Sequence, residues 1–231
     1  MPHIAIISGT IPLIKEGQTR RVSTPFGGVD LILNDQCVFL PRHGVEQNRH
    51  ILPHRINHPA HFFALKSLGV SKVIAINSTG SLKRSFKPGT LLVPDDFIFL
   101  GPNPTVFGDE CRHVTPRLDD DIRGILVQAA HACGGEVTER GIYWQTWGPR
   151  FETRAEIRFM SQWADVVGMT MASEAILASE LDLPYGAICS IDNYANGILE
   201  KPLSMEEVIA GAKKNAQLME RIVNFIIERE K

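Results

Sequence analysis

The chain has 231 residues, 44% of them hydrophobic, and a net charge of −2; that is enough for one sizeable core and near the upper end for a single domain. So even a charge balance excludes partners that need a basic face, nucleic acid or an anionic membrane surface. No apolar run approaches the ~18 residues of a membrane span, no charged leader precedes an apolar stretch at the start, and Cys37, Cys111, Cys133 and Cys189 form no Cys-x-x-Cys pair, so a cytoplasmic protein with free thiols and no zinc site is expected.

Ile4 to Ile7 reads as a buried strand that stops at Ser8-Gly9-Thr10. Thr24-Pro-Phe-Gly-Gly28 breaks the chain. Val29 to Leu33 and Cys37 to Leu40 then form a hairpin about Asn34-Asp35, ending at Pro41-Arg42-His43-Gly44. Residues 45–58, rich in histidine and poor in apolar side chains, read as a loop. Ala60 to Leu68 has helical spacing with Gly69 as its C-cap. Val73 to Ile76 is a strand ending at Asn77-Ser-Thr-Gly-Ser81; Leu91 to Val93 and Phe97 to Leu100 are strands before a Pro/Gly-rich loop to about Pro116. Asp119 to Cys133 is a helix whose first-turn acids suit its dipole. Strands at Val137 to Tyr143, Val166 to Met169 and Tyr185 to Ile191 alternate with helices at Thr153 to Trp163 and Ser173 to Leu181. Ser204 to Arg229 is a long amphipathic helix, with Ser204 and Glu207 as a capping box. Alternation with short connections argues one α/β domain, and ligands in such sheets sit beyond the carboxyl ends of the strands.

Three phrases between Gly148 and Gly197 carry more: Gly148-Pro-Arg-Phe-Glu-Thr153, Gly168-Met-Thr-Met-Ala-Ser-Glu174 and Ile191-Asp-Asn-Tyr-Ala-Asn-Gly197. Each sets a Glu, Thr or Asn beside Gly or Pro at the edge of an apolar run. Together, and over most of the chain, they resemble the purine nucleoside phosphorylase and methylthioadenosine phosphorylase family, in its trimeric branch. The resemblance implies that residues 1–231 form one nucleoside-phosphorylase-like domain, a mixed, mostly parallel twisted sheet flanked by helices. It also implies a homotrimer or hexamer, with a purine nucleoside and inorganic phosphate as substrates and no metal or organic cofactor.

Thr10, Arg42, His43, Ser78 and Thr170 all fall at strand ends and supply a guanidinium, an imidazole and hydroxyls, the donors an oxyanion needs. Singly, each has a plainer role as a cap or a surface turn. Neither a Walker loop nor Gly-x-Gly-x-x-Gly is present, which disfavours a nucleotide phosphate. In the family resembled, these five positions bind the nucleophilic phosphate. Two departures stand out: Ile11-Pro12 where the family has Gly-Leu, and Ser78 where Ala is common.

Glu152 and Asn193 are the expected catalytic pair. A carboxylate accepts from a protonated ring nitrogen, and an amide both donates and accepts, which matches the edge of a 6-oxopurine. Without the resemblance they read as a first-turn acid and a turn residue. Phe151-Glu152-Thr153 and Asn193 match inosine- and guanosine-cleaving members; methylthioadenosine enzymes carry Phe-Ser-Ser and Asp. Arg150 looks like the methylthioadenosine branch, and Asp192 beside Asn193 offers a second register. Phe151 and Met169 are expected at the nucleoside, and His113 at a neighbouring subunit's sugar pocket. Met205, in Pro202-Leu-Ser-Met205-Glu-Glu-Val208, stands where inosine phosphorylases place a His facing the 5′-hydroxyl. A thioether cannot donate a hydrogen bond but packs against sulfur and methyl. The expected reaction is therefore phosphorolysis of a 6-oxopurine nucleoside, S-methyl-5′-thioinosine first. The alternatives are a general inosine/guanosine phosphorylase, a methylthioadenosine phosphorylase, or a non-catalytic purine-binding module.

Overall fold

A computed structural model describes residues 3–9, 13, 16–46 and 50–229. The first strand, β1 (Ile4–Ser8), is buried throughout: Ala5 and Ile7 enter one apolar cluster, Ile4 and Ile6 another on the opposite face. Its continuous apolar sequence is that of a strand covered on both sides. β2 (Gln18–Thr24) and β3 (Gly27–Leu33) pair in full antiparallel register, and β3 pairs with β4 (Val38–Pro41). Thr24-Pro-Phe-Gly-Gly28 is thus the turn of a hairpin. The Thr24 hydroxyl closes it, donating to the Gly27 carbonyl at 2.7 Å and accepting from Phe26 N–H at 3.1 Å.

A short 3-10 turn (Pro53–Arg55) leads into α1 (His58–Ser67), where Asn57 caps the Ala60 N–H and Gly69 follows at φ +76°. β5 (Lys72–Ser81) runs to Ser81, past the expected end at Ile76. β6 (Leu91–Leu92), β7 (Asp96–Phe99) and α2 (Asp120–Ala132, capped by Asp119) follow. The single strand expected over Val137 to Tyr143 is two, β8 (Val137–Thr138) and β9 (Ile142–Gln145). Between them Gly141 N–H donates to the Asp95 carboxylate instead of to a strand. Then come α3 (Arg154–Met160), β10 (Val166–Gly168), α4 (Met171–Glu180), β11 (Tyr185–Tyr194) and α5 (Met205–Arg229). Ser204 and Glu207 exchange the two bonds of a capping box at 3.3 Å each.

All strands belong to one sheet with β5 as its hub. Among the described residues six pairings are parallel and four antiparallel, so the sheet is mixed and mostly parallel. α1 and α4 pack on one face, α2 and α5 on the other, and α3 covers a third apolar cluster around Trp144 and Val167. One edge of β5 changes partner midway. β1 accompanies it from Lys72 to Ala75, and antiparallel β10 takes over at Gly80 and Ser81. On that edge residues 76–79 have neither neighbour, and the resulting crevice lies at a reversal of sheet direction.

Candidate active site

A cavity of about 290 Å³ is lined by the ends of β1 and β4, the crevice stretch of β5, β10 and the start of α4. It brings together Arg42, His43, Ser78 and Thr170 with Phe151, Glu152, Met169, Asn193 and Met205. Thr10 and its neighbours Ile11-Pro12 lie outside the described residues. His113 does not line the cavity; it is exposed on the loop before α2, beside Cys111.

Arg42 is 2% exposed, and its guanidinium is held on three sides. Nε and Nη2 donate to the two carboxylate oxygens of Glu174 at 2.5 and 3.1 Å. Nη1 donates at 3.1 Å to the Ile76 carbonyl, on the stretch of β5 between its two edge partners. Two of the five N–H groups remain for a ligand. Tyr185 Oη donates to Glu174 as well, at 2.9 Å. Glu174 is the residue that sequence reasoning missed. It closed the phrase Gly168–Glu174, yet nothing in the sequence pairs it with Arg42, 132 residues away.

Thr170 occupies the N-cap of α4, but its side chain makes no capping bond. Its oxygen instead accepts from Asn77 Nδ2 at 3.0 Å, which leaves its own O–H to donate. The first turn of α4 is fixed by β9. Tyr143 Oη accepts from the N–H groups of Thr170 and Met171, and Gln145 binds Ser173 through both ends of its amide. A hydroxyl at a helix N-terminus beside a guanidinium is a setting for an anion. Ser78 differs from expectation: its hydroxyl donates at 2.5 Å to Asp192, so its side-chain proton is committed within the protein.

His43 Nδ1 lies 2.6 Å from the Ile51 carbonyl, and its ring stacks on His50 with centroids 4.2 Å apart. Burial lowers its pKa to about 4; the Ile51 carbonyl opposes that shift and Arg42 adds to it. Gly9 packs against this corner. A Cβ there would stand 2.8 Å from His43 Nε2 and 3.1 Å from Arg42 Nη1, so a side chain would fill the space where the two nitrogens converge.

On the other side of the cavity Glu152 is buried and accepts from the Thr146 hydroxyl at 2.6 Å, and its backbone carbonyl accepts from Asn196. Its other carboxylate oxygen has no hydrogen bond among the described residues. Asn193 donates Nδ2–H to the Tyr194 carbonyl at 2.9 Å, leaving Oδ1 and a second N–H. The Asp192/Asn193 register is set by a bulge: Ile191 pairs with Thr79 and Asn193 with Gly80, so Asp192 is the extra residue. Asp192 is buried among Ser78, Ser190 and Asn215, which all donate to it, and burial raises its pKa against those bonds. Leu52, Leu203, Met205 and Val208 give the lining an apolar portion. Arg150 turns away from it, in a paired bond to Glu156 on the surface at 2.8 and 2.9 Å.

A second, shallower groove adjoins this one through Glu152. Phe99, Leu100, Trp147 and Phe159 line it, with Leu100 78% and Phe159 55% exposed. Gln145, Thr146 and the Arg150–Glu156 pair supply its polar portion.

The model of the phosphorylase superfamily matches residues 5–228. A probable 6-oxopurine nucleoside phosphorylase of Archaeoglobus fulgidus is 38% identical over 98% of this chain and 96% of its own length. A probable S-methyl-5′-thioinosine phosphorylase of Methanocaldococcus jannaschii is also 38% identical, over 97% and 91%. Among solved structures, methylthioadenosine phosphorylase from Schistosoma mansoni in complex with adenine superposes with a TM-score of 0.88 at 26% identity, covering 99% of this chain and 91% of that one. With its sheet, its cavity and nearly its whole length accounted for, the chain belongs to the phosphorylase superfamily.

Proposed function

We propose that this protein cleaves 6-oxopurine nucleosides with inorganic phosphate, releasing hypoxanthine or a related base and a ribose 1-phosphate, and that S-methyl-5′-thioinosine is its preferred substrate. One observation carries the reading. A single cavity joins an anion corner (Arg42, His43, Thr170 and the start of α4) to a carboxylate–amide pair and an apolar lining that includes Met205. The names of the relatives from Archaeoglobus and Methanocaldococcus support the 6-oxopurine part.

In this reading phosphate held at Arg42 and Thr170 faces the anomeric carbon, and Met169 and Phe151 pack against the nucleoside. The glycosidic bond breaks through an oxocarbenium-like state that the phosphate charge stabilises, while binding replaces a bimolecular encounter. The free oxygen of Glu152 accepts the N1–H of the base. Asn193 donates to or accepts from the atoms on which charge develops, so its bonds strengthen toward the transition state. We propose no metal or organic cofactor, a cytoplasmic location in keeping with four free cysteines, and one domain over residues 1–231. The deciding experiment measures hypoxanthine release from methylthioinosine and from inosine, with and without phosphate. Release that ignores phosphate would overturn the reading.

A methylthioadenosine phosphorylase is the second reading, favoured by the Schistosoma mansoni structure. Asn193 argues against it, because a 6-amino group needs only an acceptor there. We also propose a homotrimer, or a pair of trimers, that covers the Leu100–Trp147–Phe159 groove and uses His113 across the interface. Sedimentation at micromolar concentration should give a multiple of three chains; an active monomer would refute it.

A further inference from the structure

We propose that His43 accepts a hydrogen bond from its anion, so that the co-substrate must be a tetrahedral oxyanion that carries a proton, a hydrogen phosphate rather than a proton-free ion such as sulfate. The proposal rests on the phosphorolysis reading and adds the protonation state of the ion that enters.

The Ile51 oxygen can only accept, so at 2.6 Å the proton of that bond belongs to His43 Nδ1. A neutral imidazole holding its proton on Nδ1 presents a lone pair at Nε2. Nε2 and Arg42 Nη1 both approach the space in front of Gly9, and the His43 side chain makes no other hydrogen bond among the described residues. Turning the ring over would break the Ile51 bond. Protonating Nε2 would put a second cation in a buried corner that already holds the Arg42 guanidinium; burial and Arg42 both oppose it.

The corner is therefore asymmetric. Arg42 and the Thr170 hydroxyl donate, and His43 accepts. An ion with only oxygen lone pairs would satisfy the donors and set a lone pair against Nε2. Both ionic forms of inorganic phosphate present near neutral pH carry a P–O–H that fits it. Sulfate matches the dianion in shape and charge and lacks only that proton. Glu174 sharpens the contrast, since its carboxylate offsets the arginine charge that would otherwise favour any dianion.

The test uses the whole protein. Sulfate and arsenate are measured as competitors of phosphate in methylthioinosine phosphorolysis near pH 7.5, in the wild type and in His43→Gln, whose amide can donate. Sulfate should bind at least about tenfold more weakly than phosphate or arsenate in the wild type, roughly one matched hydrogen bond. In His43→Gln the gap should close to about threefold or less. Nitrogen-15 spectra of histidine-labelled wild type, with His43 assigned by its absence in the variant, should show Nε2 unprotonated both without and with saturating inorganic phosphate. Equal affinity for sulfate and phosphate, an unchanged gap in His43→Gln, or an imidazolium signature on phosphate binding would each overturn the assignment of His43 alone. Cleavage that needs no phosphate would overturn the phosphorolysis reading and this inference with it.

Discussion

Arg42 and Glu174 show how much of a candidate binding residue's behaviour is set by a partner off the cavity lining. A buried guanidinium is held because its charge is matched and its donors filled. Arg42→Ala should abolish phosphorolysis, and it should also lower stability by about 3–5 kcal/mol, because it strands a buried carboxylate. Glu174→Gln is the finer probe. It keeps shape and one acceptor but loses the paired geometry, so KM for phosphate should rise about tenfold while KM for the nucleoside moves less than twofold. Parallel rises in both would reduce Glu174 to a structural role. Sequence reasoning reached Arg42 through its strand end but not Glu174, because a contact across 132 residues leaves no local pattern. Asp192 and Asn193 show the same limit: adjacent polar residues at a bulge look alike until the register is known. Asn193→Asp should lower activity on inosine relative to adenosine by about tenfold, a mismatched buried hydrogen bond costing about 1–3 kcal/mol. An unmoved ratio would show that another group reads the base.

At the scale of elements, apolar runs were legible and polar burial was not. β1, α1, α2 and α5 are where hydrophobic spacing and capping residues put them. The sequence suggests that β5 ends at Ile76, because Asn77 to Ser81 look like a turn. They are strand residues, with Asn77, Thr79 and Ser81 buried and paired along β11. β2 is illegible for the opposite reason: most of its residues are exposed and polar, and what holds it to β3 is the backbone ladder with the exposed Arg21–Asp30 ion pair across it. In the proposed function the start of α5 bears on specificity. The Ser204–Glu207 capping box fixes where the helix begins, and Met205 follows directly, 54% exposed and on the cavity lining. With no donor at Met205, inosine would bury its 5′-hydroxyl short of one partner, at about 1–3 kcal/mol. A methylthio group gains burial of about 1 kcal/mol. The wild type should therefore prefer methylthioinosine by at least about tenfold in kcat/KM, and Met205→His should recover most of that for inosine. Equal efficiencies in the wild type, or no gain in the variant, would mean that other residues set the 5′ pocket.

Over the whole molecule, the buried histidines tie stability to acid. His58 and His61 sit in α1 at 7% and 8% exposure, with ring centroids 6.3 Å apart. Burial lowers both from 6.5 to about 3, aided by Arg42 and His43 at each and by His58 at His61, where Glu174 opposes. His43 is lowered to about 4. A folded-state value below the unfolded one means that the unfolded chain takes up protons the native chain refuses. The native state is then most favoured above pH 6.5 and loses ground as the pH falls toward 3. At pH 5.5 each such histidine removes roughly 1.4 kcal/mol relative to pH 7.5. His58 offers a clean test, since its Nδ1 has no hydrogen-bond partner among the described residues and an apolar ring in its place leaves no polar atom unpaired. His58→Phe should match or exceed the wild type near pH 7.5 and gain about 1 kcal/mol on it by pH 5.5. Denaturant melts at the two pH values measure the difference directly. Stability curves that stay parallel would show that His58 takes its proton in the folded state, and that the acid lability of the α1 face arises at His61, His43 or the carboxylates.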